Sequence, residues 1–546
     1  MTPEFIAEVQ EWISLDPDEL TAALLQSWID TDNEAALKKS FSGFLQFGTA
    51  GLRGPVGPGP SCMNRAVVLR TSAGIASYMK KRGLKTVVIG RDARHGSEEF
   101  TEESAQIFTG AGMKVWVLPR PLPTPVLAFA VNFLKADVGI MVTASHNPPE
   151  DNGYKVYLGG VVDGVRYEGS QIVPPADREI AEEISKIKSV QPKGRSWEVL
   201  DERVFDEYIS KTSELARIKG DVRIVYSAMH GVGTETFLAT FKAAGFSDPI
   251  LVKEQADPNP DFPTVKFPNP EEPGAIDLSL KLAAEVGADL VIANDPDADR
   301  CAAAIHETGV GWRMLRGDEV GAILGHYIAT TMKESCFGKS FANSIVSSSI
   351  LGKISRAHGI EFHETLTGFK WLAKIPNLRF GYEEALGYAV DAAAVNDKDG
   401  ISAALILSQC AAELKRDGHT LAGYLANIWE TYGYHGTEQI SIRVSDISQV
   451  DTVLSKLRKN NPPALNGVSL TRFIDLAQPE GNFPPTNGII MWFGDSIRVI
   501  VRPSGTEAKL KCYVEVASTG GSQSDISSVN AEILKIKTEL MELIAL

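Results

Sequence analysis

The sequence predicts an α/β protein with three similar domains of mixed or mainly parallel sheet, followed by a C-terminal α+β domain. Two observations support this fold class. A pattern of helix, glycine, strand, loop, helix and apolar strand ending in a polar tip occurs three times. Strands that alternate with helices indicate crossover units. After "YGYHGTEQ" the pattern changes to alternating strands around one turn, followed by a final helix, which indicates a separate domain.

The composition is that of a globular protein with several cores, because 44% of the 546 residues are hydrophobic and 23% are charged. A formal net charge of −15 without a long basic run argues against nucleic acid and anionic membranes as partners, but allows a local basic pocket. Five scattered cysteines without CxxC spacing fit a reducing cytosol. The N-terminus lacks signal-peptide features and no apolar run reaches about 18 residues, so we expect a cytoplasmic protein.

The predicted domains follow from these patterns. Phe5, Val9 and Trp12 recur on a helical period, and "LDPDE" separates two short predicted helices in an N-terminal extension. The expected boundaries are 1–40 for this helical extension, 41–205 for domain 1, 206–315 for domain 2, 316–430 for domain 3 and 431–546 for domain 4.

Each of the three repeats ends in a polar tip. These tips are "TASHNP", "DPDADR" and "YEEALG". Ligands of parallel α/β sheets collect at the carboxyl ends of the strands, where each tip is predicted to lie. The tips are therefore the first candidates for a functional site.

The second tip contains an acidic triplet. In "NDPDADR", Asp295, Asp297 and Asp299 alternate with Pro296 and Ala298, so an extended segment would point the three carboxylates the same way. Grouped carboxylates repel one another unless a cation lies between them, and an all-oxygen site favours Mg²⁺. The alternative is a solvated acidic turn. An EF-hand loop does not fit, because an apolar run follows at once.

The first tip ends an apolar run in a hydroxyl, an imidazole and an amide. Ser145 is a candidate nucleophile there, or alternatively a helix cap or turn residue. No GxSxG motif surrounds it, which argues against triad-type acyl transfer. Phosphoryl transfer requires an oxygen nucleophile, a metal ion and nearby cations. Lys155 and Arg53 are candidate cations, although either alone could be an ordinary surface residue.

The C-terminal segment "RPSGTEAKLK" has the features of a phosphate loop. Arg502 offers a planar guanidinium, Ser504 and Thr506 offer hydroxyls, and Gly505 lets backbone N–H groups turn toward an anion. An ordinary β-turn is the alternative. The segment therefore predicts phosphate binding.

The third tip, "GYEEALGY", carries two adjacent carboxylates. Glu383 and Glu384 follow an apolar run and precede a glycine, which suggests that they face sugar hydroxyls. Plain surface charges are the alternative.

Together, "TASHNP", "DPDADR", "EEALG" and "RPSGTE" resemble the signature motifs of the α-D-phosphohexomutase superfamily, in this order and one per domain. The resemblance covers the chain from about Phe47 to Val516. "FGTAGLRG", "TASHNPPEDNGYKVY" and "GYEEALGY" are similar to its phosphoglucomutase/phosphopentomutase branch. The resemblance implies four domains around a central cleft, the first three with one shared α/β topology.

The resemblance also implies roles for individual residues. Ser145 would carry phosphate in the active enzyme, and Asp295, Asp297 and Asp299 would hold Mg²⁺ together with an oxygen of that phosphate. Lys155 would act as general base and acid. The other residues implied are His146 and Arg53 near the transferring group, Arg300, Thr367, Gly368, Glu383, Ala385 and Lys398 at the substrate, and Arg502, Ser504, Gly505, Thr506 and Lys511 at the phosphate that is not transferred. Hexose mutases usually carry Ser where this chain has Ala385.

By resemblance, the function would be intramolecular phosphate transfer between glucose 1-phosphate and glucose 6-phosphate. The intermediates would be a phosphoserine and glucose 1,6-bisphosphate, which would also serve as activator. Because Ala385 departs from the hexose pattern, a phosphopentomutase and a glucose 1,6-bisphosphate synthase are alternatives, and a non-catalytic sugar-phosphate sensor is a further one. The expected partners are small sugar phosphates, without nucleic acid or membrane, and the chain is expected to be a monomer or weak homodimer.

Overall fold

The structure is a computed structural model that describes residues 1–48, 51–187, 194–444, 447–478, 483–504 and 509–544. The chain forms two compact units. Unit 1 contains Met1–Leu315 and Gly387–Glu413, and unit 2 contains Arg316–Leu386 and Leu414–Leu546. The chain therefore leaves unit 1, returns to it for one segment and leaves it again.

Unit 1 begins with three helices around a small apolar core of Val9, Leu25 and Leu37. They are α1 (Pro3–Leu15), α2 (Glu19–Asp30) and α3 (Glu34–Ser40). The prediction of two helices in this extension was wrong, because Asn33 caps a third one by accepting a hydrogen bond from the N–H of Ala36.

The first α/β domain is built on a mixed sheet. In this sheet β2 lies between β3 and β4 and is parallel to both, whereas β5 is antiparallel to β4 and β1. The elements are β1 (Leu52–Pro55), α4 (Arg65–Arg82), β2 (Thr86–Arg91), α5 (Ser97–Gly110), β3 (Lys114–Val117), α6 (Thr124–Phe133), β4 (Val138–Val142), β5 (Asp151–Leu158), β6 (Val161–Val162), β7 (Val165–Arg166), β8 (Ser170–Gln171), α7 (Ala176–Ser185), β9 (Glu198–Val199) and α8 (Arg203–Ser213).

The second α/β domain repeats this parallel core. Here β10 lies between β11 and β12 and is parallel to both, and an antiparallel pair extends the sheet. The elements are β10 (Ile224–Ser227), α9 (Gly233–Ala243), β11 (Ile250–Leu251), α10 (Asp277–Val286), β12 (Leu290–Ala293), β13 (Ala302–Glu307) and β14 (Gly311–Met314).

Unit 2 begins with the third copy, in which β15 lies between β16 and β17 and is parallel to both. The elements are α11 (Gly317–Thr331), β15 (Ser340–Ser344), α12 (Ile350–Ala357), β16 (Glu361–Thr365), α13 (Phe369–Leu372) and β17 (Leu378–Glu383). The chain then returns to unit 1 as β18 (Gly387–Ala389) and most of α14 (Gly400–Arg416).

The C-terminal domain is an antiparallel sheet with the strand order β19-β24-β23-β22-β21-β20. One face packs against α16 and α17 in an apolar core, and the other packs against Ile345, Val346 and Leu366 of the third copy. The elements are α15 (Leu421–Tyr432), β19 (His435–Arg443), α16 (Ile447–Lys459), β20 (Ala464–Leu465), β21 (Val468–Asp475), β22 (Ile489–Phe493), β23 (Ile497–Pro503), β24 (Lys509–Ala517) and α17 (Gln523–Leu543).

The predicted fold class is confirmed: three α/β copies precede one α+β domain. In each copy the first strand of the parallel core is central and a polar tip follows the third strand, namely β4, β12 and β17. The exact domain boundaries stay a prediction. Among the described residues, no helix is both long enough and apolar enough to cross a membrane.

Candidate active site

Ser145 lies three residues beyond β4 and is buried, with 2% of its surface exposed. Its backbone has a positive φ of 54°, which is uncommon for a residue with a side chain. The N–H of Ser145 donates to Thr143 Oγ1 over 2.8 Å, and its hydroxyl donates to Asp295 Oδ2 over 2.9 Å. The turn therefore directs the hydroxyl at the acidic triplet.

The acidic triplet lies in a turn after β12 rather than in the extended segment assumed from the sequence. Ala298 has a φ of 54° and donates its N–H to the carbonyl of Asp295, which closes the turn. The expected extended geometry was wrong, but the carboxylates still converge: one oxygen from each of Asp295, Asp297 and Asp299 lies within 4.8 Å of the others. All three residues are fully buried.

Neighbouring residues of unit 1 fix the shape of this turn. Gly231 packs so closely on the backbone of Pro296 that a Cβ there would lie 2.3 Å from its Cα, so only glycine fits. The Asn294 amide donates to the carbonyl of Arg300, and the Tyr226 hydroxyl donates to Asn294 Oδ1. Thr124, at the start of α6, donates its hydroxyl to Asp297 Oδ2 over 2.6 Å.

The triplet fits a hard divalent cation. Asp297 Oδ1 and Asp299 Oδ1 are buried and have no hydrogen-bond partner among the described residues. Burial, together with the charges of Asp299 and Asp297, raises the pKa of Asp295 to about 7. Buried carboxylate oxygens of this kind are the ligands that Mg²⁺ takes in proteins. The cluster can therefore hold a metal ion.

Two lysines neutralise part of this acidic charge. Lys155 Nζ donates to Asp297 Oδ2 over 2.7 Å and to Asp299 Oδ2 over 2.9 Å, and Lys398 Nζ donates to Asp299 Oδ2 over 2.8 Å. Burial alone would lower the pKa of Lys155, but the two carboxylates outweigh it and raise the pKa above its ordinary value. Lys155 is therefore a cation here.

Lys398 reaches the cluster because buried side chains hold the loop before α14. Asp397 Oδ2 accepts hydrogen bonds from the Tyr157 hydroxyl and the Gln171 amide, each over 2.8 Å. Asp399 Oδ1 accepts one from the Tyr208 hydroxyl over 2.9 Å. The segment that returns to unit 1 thus contributes a cation to the candidate site.

His146, Arg300 and Arg53 form a second group of residues around Ser145. His146 Nδ1 lies 3.2 Å from the Ser145 hydroxyl, and its Nε2 lies 3.4 Å from Arg300 Nη2. Burial, with the charges of Arg300 and Arg53, lowers the pKa of His146 well below its ordinary value, so the imidazole is neutral. Arg53 donates to Asn147 Oδ1 over 3.1 Å. Unit 1 therefore brings together the seven residues predicted for the transfer and metal sites. Arg300 and Lys398 lie with them.

In unit 2, the predicted sugar-binding residues form one connected group. Glu383 ends β17, and its Oε1 accepts a hydrogen bond from the N–H of Gly368 over 2.6 Å. Gly368 has a φ of 109°, and Thr367 beside it is half-buried. Ala385 is also half-buried, in the tight turn that Leu386 closes with a φ of 64°.

Glu384 does not have the sugar-facing environment suggested by the sequence. Its Oε2 accepts hydrogen bonds from the hydroxyls of Ser344 and Ser347, each over 3.1 Å, and its N–H donates to Ser347 Oγ. Its carbonyl packs on Gly317, where a Cβ would lie 1.8 Å from the oxygen. Glu384 therefore anchors the turn to the body of unit 2.

The predicted phosphate loop connects β23 and β24. Arg502 and Lys511 are half-buried and lie opposite each other on the two strands. The N–H of Ser504 donates to the carbonyl of Lys509 over 2.8 Å. Gly505 and Thr506 lie outside the described residues.

Residues 45–191, 206–309 and 316–432 match alpha/beta/alpha domains I, II and III of phosphoglucomutase/phosphomannomutase, and residues 470–523 match its C-terminal domain. The chain belongs to the phosphoglucomutase/phosphomannomutase family. This confirms the resemblance to the α-D-phosphohexomutase superfamily, and the chain is an enzyme of that superfamily.

Relatives within the phosphoglucomutase/phosphomannomutase family carry different names. A protein of Haemophilus influenzae named "Probable phosphomannomutase" is 44% identical over 86% of this chain and 96% of its own length. A human phosphopentomutase is 34% identical over 98% of this chain and 94% of its own length. A human glucose 1,6-bisphosphate synthase is 31% identical over 99% and 94%.

A solved structure has the same fold. The open form of parafusin, a phosphoglucomutase from Paramecium, superposes with a TM-score of 0.71 at 19% identity, over 92% of this chain and 95% of that chain.

Sequence reasoning missed one residue that shapes the phosphoglucomutase/phosphomannomutase site. Arg94, 4% exposed, donates through its two Nη atoms to the carbonyls of Ser145, Asn147, Pro148 and Asp151 over 2.6–3.0 Å. Asp92 Oδ2 lies 3.3 Å from Arg94 Nε. The available signal was "GRDARHGS", in which polar residues follow the apolar strand β2 just as they follow β4 and β12.

Proposed function

We propose that this enzyme interconverts glucose 1-phosphate and glucose 6-phosphate through a phosphoserine at Ser145 and a glucose 1,6-bisphosphate intermediate. The observation that carries the proposal is the pairing of the buried Ser145 hydroxyl with an acidic triplet surrounded by cations. Phosphoryl transfer depends mainly on positioning and on neutralising charge, and this group of residues provides both. Small sugar phosphates are the proposed partners.

In the proposed cycle, phospho-Ser145 transfers its phosphoryl group to the 6-hydroxyl of glucose 1-phosphate. The P–O bond to Ser145 breaks as a P–O bond to the sugar oxygen forms. Lys155 donates a proton to the Ser145 oxygen and regains one from the sugar hydroxyl, so the proton passes overall from sugar to serine. The bisphosphate then turns over, and its 1-phosphate returns to Ser145, which leaves glucose 6-phosphate. The same residues therefore serve both half-reactions.

Asp295, Asp297 and Asp299 would hold Mg²⁺, which when bound supplies positive charge to the phosphoryl oxygens. Lys155 is held protonated by Asp297 and Asp299, so it can stabilise the transferring group and donate a proton to the leaving oxygen. Arg53 donates to Asn147 and so supports the position of the loop that carries Ser145. In unit 2, Glu383 would bind sugar hydroxyls, and Arg502 with Lys511 would bind the phosphate that is not transferred.

The test of this proposal is phosphate on Ser145. The protein is incubated with glucose 1,6-bisphosphate, digested and analysed by mass spectrometry, with Ser145→Ala as the matched control. We expect one phosphate on the peptide that contains Ser145. A peptide that stays unmodified while the enzyme turns over would overturn the phosphoserine mechanism.

A second candidate substrate is a pentose phosphate. Two observations favour it: Ala385 lacks the hydroxyl usual in hexose mutases, and the phosphopentomutase relative aligns with nearly the whole chain. The discriminating experiment compares kcat/KM on glucose 1-phosphate, mannose 1-phosphate and ribose 1-phosphate, with the bisphosphate supplied. A preference for ribose 1-phosphate would replace the glucose assignment. Net accumulation of glucose 1,6-bisphosphate would instead favour the synthase activity named for another relative.

A further inference from the structure

Glu384 follows Glu383, the residue proposed to bind sugar hydroxyls, but its own Oε2 accepts hydrogen bonds from other side chains of the protein. The hydroxyls of Ser344 and Ser347 donate to it, and the N–H of Glu384 donates back to Ser347 Oγ over 3.0 Å. Ser344 and Ser347 are fully buried. The position of Glu383 therefore depends on a short serine segment, residues 344–349, that is not itself part of the sugar tip.

The serine segment is held in turn by the C-terminal domain. Arg498, at the start of β23, donates from Nη2 to the carbonyl of Ser347 over 2.5 Å and from Nη1 to Glu364 Oε1 over 3.0 Å. Its Nη2 also lies 2.8 Å from Glu515 Oε2. Arg498 and Glu515 face each other on β23 and β24 and are 9% and 6% exposed.

Glu515 adds a second group of contacts to the same segment. Its Oε1 accepts from the hydroxyls of Ser348 and Ser349 and from the N–H of Ser349, over 2.7–3.0 Å. His435 Nδ1 lies 2.9 Å from the same oxygen. A buried ion-pair network with this many hydrogen bonds has one favourable geometry and resists small displacements.

The same strand carries the proposed phosphate ligand. Arg498 and Arg502 are four residues apart on β23, so their side chains point to the same face of the sheet. That face packs against Ile345, Val346 and Leu366 of the third copy. The chain of contacts from Arg502 through β23, Arg498, Ser347 and Glu384 to Glu383 therefore lies within one compact unit.

We propose that Arg498 and Ser347 are positioning residues that fix the spacing between the sugar tip and the phosphate-binding strand, and that this spacing selects sugar phosphates by the size of their ring. The inference rests on the proposed function of Glu383 and Arg502. A hexose 6-phosphate has a six-membered ring and a pentose 5-phosphate a five-membered ring, each with one carbon between ring and phosphate. The distance from the ring hydroxyls to the phosphate therefore differs, and a fixed spacing accommodates one sugar better than the other. Loosening the spacing removes this difference.

The test compares Ser347→Ala and Arg498→Lys with the parent enzyme. The matched control is Arg458→Lys. Arg458, on α16, also forms an ion pair in the C-terminal domain, with Asp475 at 3.0 Å, but its hydrogen bonds within the described part of the chain go to Asp475 and Asn487 and not to the serine segment. The readout is the ratio of kcat/KM for glucose 1-phosphate to that for ribose 1-phosphate. A difference of one methylene-sized group is worth roughly 10- to 200-fold in discrimination, and the two sugars differ by one ring carbon. We therefore expect this ratio to move about tenfold toward one in both variants and to stay unchanged in the control.

A purely structural role would lower both kcat/KM values in parallel, and an unchanged ratio in Ser347→Ala would overturn the inference even if Arg498→Lys fails to fold. The ratio of dissociation constants for glucose 6-phosphate and ribose 5-phosphate, measured by calorimetry, provides a readout that needs no turnover. If the parent lacks mutase activity, the proposed function fails. The spacing inference then stands only if the binding ratio shifts, and it fails if the ratio stays constant or neither sugar phosphate binds.

Discussion

At the scale of single residues, the candidate site is an arrangement of opposite charges around one hydroxyl. Three buried carboxylates, Asp295, Asp297 and Asp299, face Lys155 and Lys398, and Ser145 touches the first of them. Buried charges are stable only when they are paired, so each member constrains its neighbours. Removing one member leaves a buried charge without its partner, so changes at these residues should affect folding as well as chemistry.

The hydroxyl of Ser145 is expected to be indispensable. Ser145→Ala removes the proposed phosphoryl acceptor and should lower mutase activity roughly 10⁴-fold or more, as deletion of a covalent nucleophile does in other enzymes. Activity is measured in a coupled assay with wild-type contamination excluded, and folding by thermal unfolding. Near-normal turnover would contradict the proposed role.

The ionisation of Asp295 should make metal-free stability depend on pH. Its pKa is raised from 3.8 to about 7 by burial and by Asp299 and Asp297, so the folded state holds this proton more tightly than the unfolded state. Stability from this group is therefore fully present below about pH 4 and is lost as the pH rises through about 7. We expect the melting temperature in chelator to fall between pH 5 and 8.

The matched variant for this prediction is Asp295→Asn, which cannot titrate and should flatten that part of the pH dependence. Added Mg²⁺ should reduce the loss above pH 7, because a cation favours the charged carboxylate. An identical pH profile in the parent and in Asp295→Asn would show that another group is responsible.

At the scale of elements, two connecting segments carry the proposed chemistry. The loop between β4 and β5, which carries Ser145, is held by hydrogen bonds from Arg94. The hairpin of β23 and β24 carries Arg502. The planar guanidinium of Arg94 spans four carbonyl acceptors, which lysine cannot do, and Arg502 would offer the same geometry to a phosphate.

Arg94→Lys should loosen the loop that carries Ser145. Lysine cannot reach four carbonyls at once, and each lost charge-assisted hydrogen bond costs about 1.5–3 kcal/mol of unfolding free energy. A small displacement of Ser145 can cost about 100-fold in kcat. Urea titration and kcat are the measurements, with Arg91→Lys as the control, since Arg91 pairs with the exposed Glu98. Loss of stability without loss of kcat would make Arg94 a scaffold residue only.

Arg502→Lys should separate phosphate positioning from phosphoryl transfer. The variant keeps the charge but loses the bidentate geometry, so kcat/KM should fall roughly 10- to 150-fold in both reaction directions. Phosphate on Ser145 should stay at the wild-type level, and more glucose 1,6-bisphosphate should be released. Loss of serine phosphate with normal sugar-phosphate binding would instead place Arg502 at the transfer site.

At the scale of the whole molecule, the sequence predicted the three polar tips well because each ends an apolar strand, which is a local signal. It could not predict the turn at Ala298 or the orientation of Glu384, which depend on contacts with residues far away in the sequence. The role of Arg94 was missed for the same reason, since its partners lie more than fifty residues further along the chain.

Neither compact unit is formed by a single continuous stretch of chain. Fragment 1–315 contains both predicted α/β domains of unit 1 but lacks α14, whose residues 400–412 are buried, and Asp399, the partner of Tyr208. We expect this fragment to unfold at a lower urea concentration than unit 1 does in the full chain, measured by circular dichroism. Equal midpoints and equal cooperativity would show that the returning segment is dispensable.

The returning segment also limits how genes of this kind can recombine. A single crossover between two homologous genes would join a Lys398 loop from one parent to Tyr157, Gln171 and Tyr208 from the other whenever it fell between residues 208 and 397. Chimaeras that exchange only the sugar tip and the C-terminal domain therefore need two further junctions, on either side of Gly387–Glu413. A chimaera can therefore take the substrate preference of one parent intact only if Gly387–Glu413 comes from the parent that supplies the rest of unit 1.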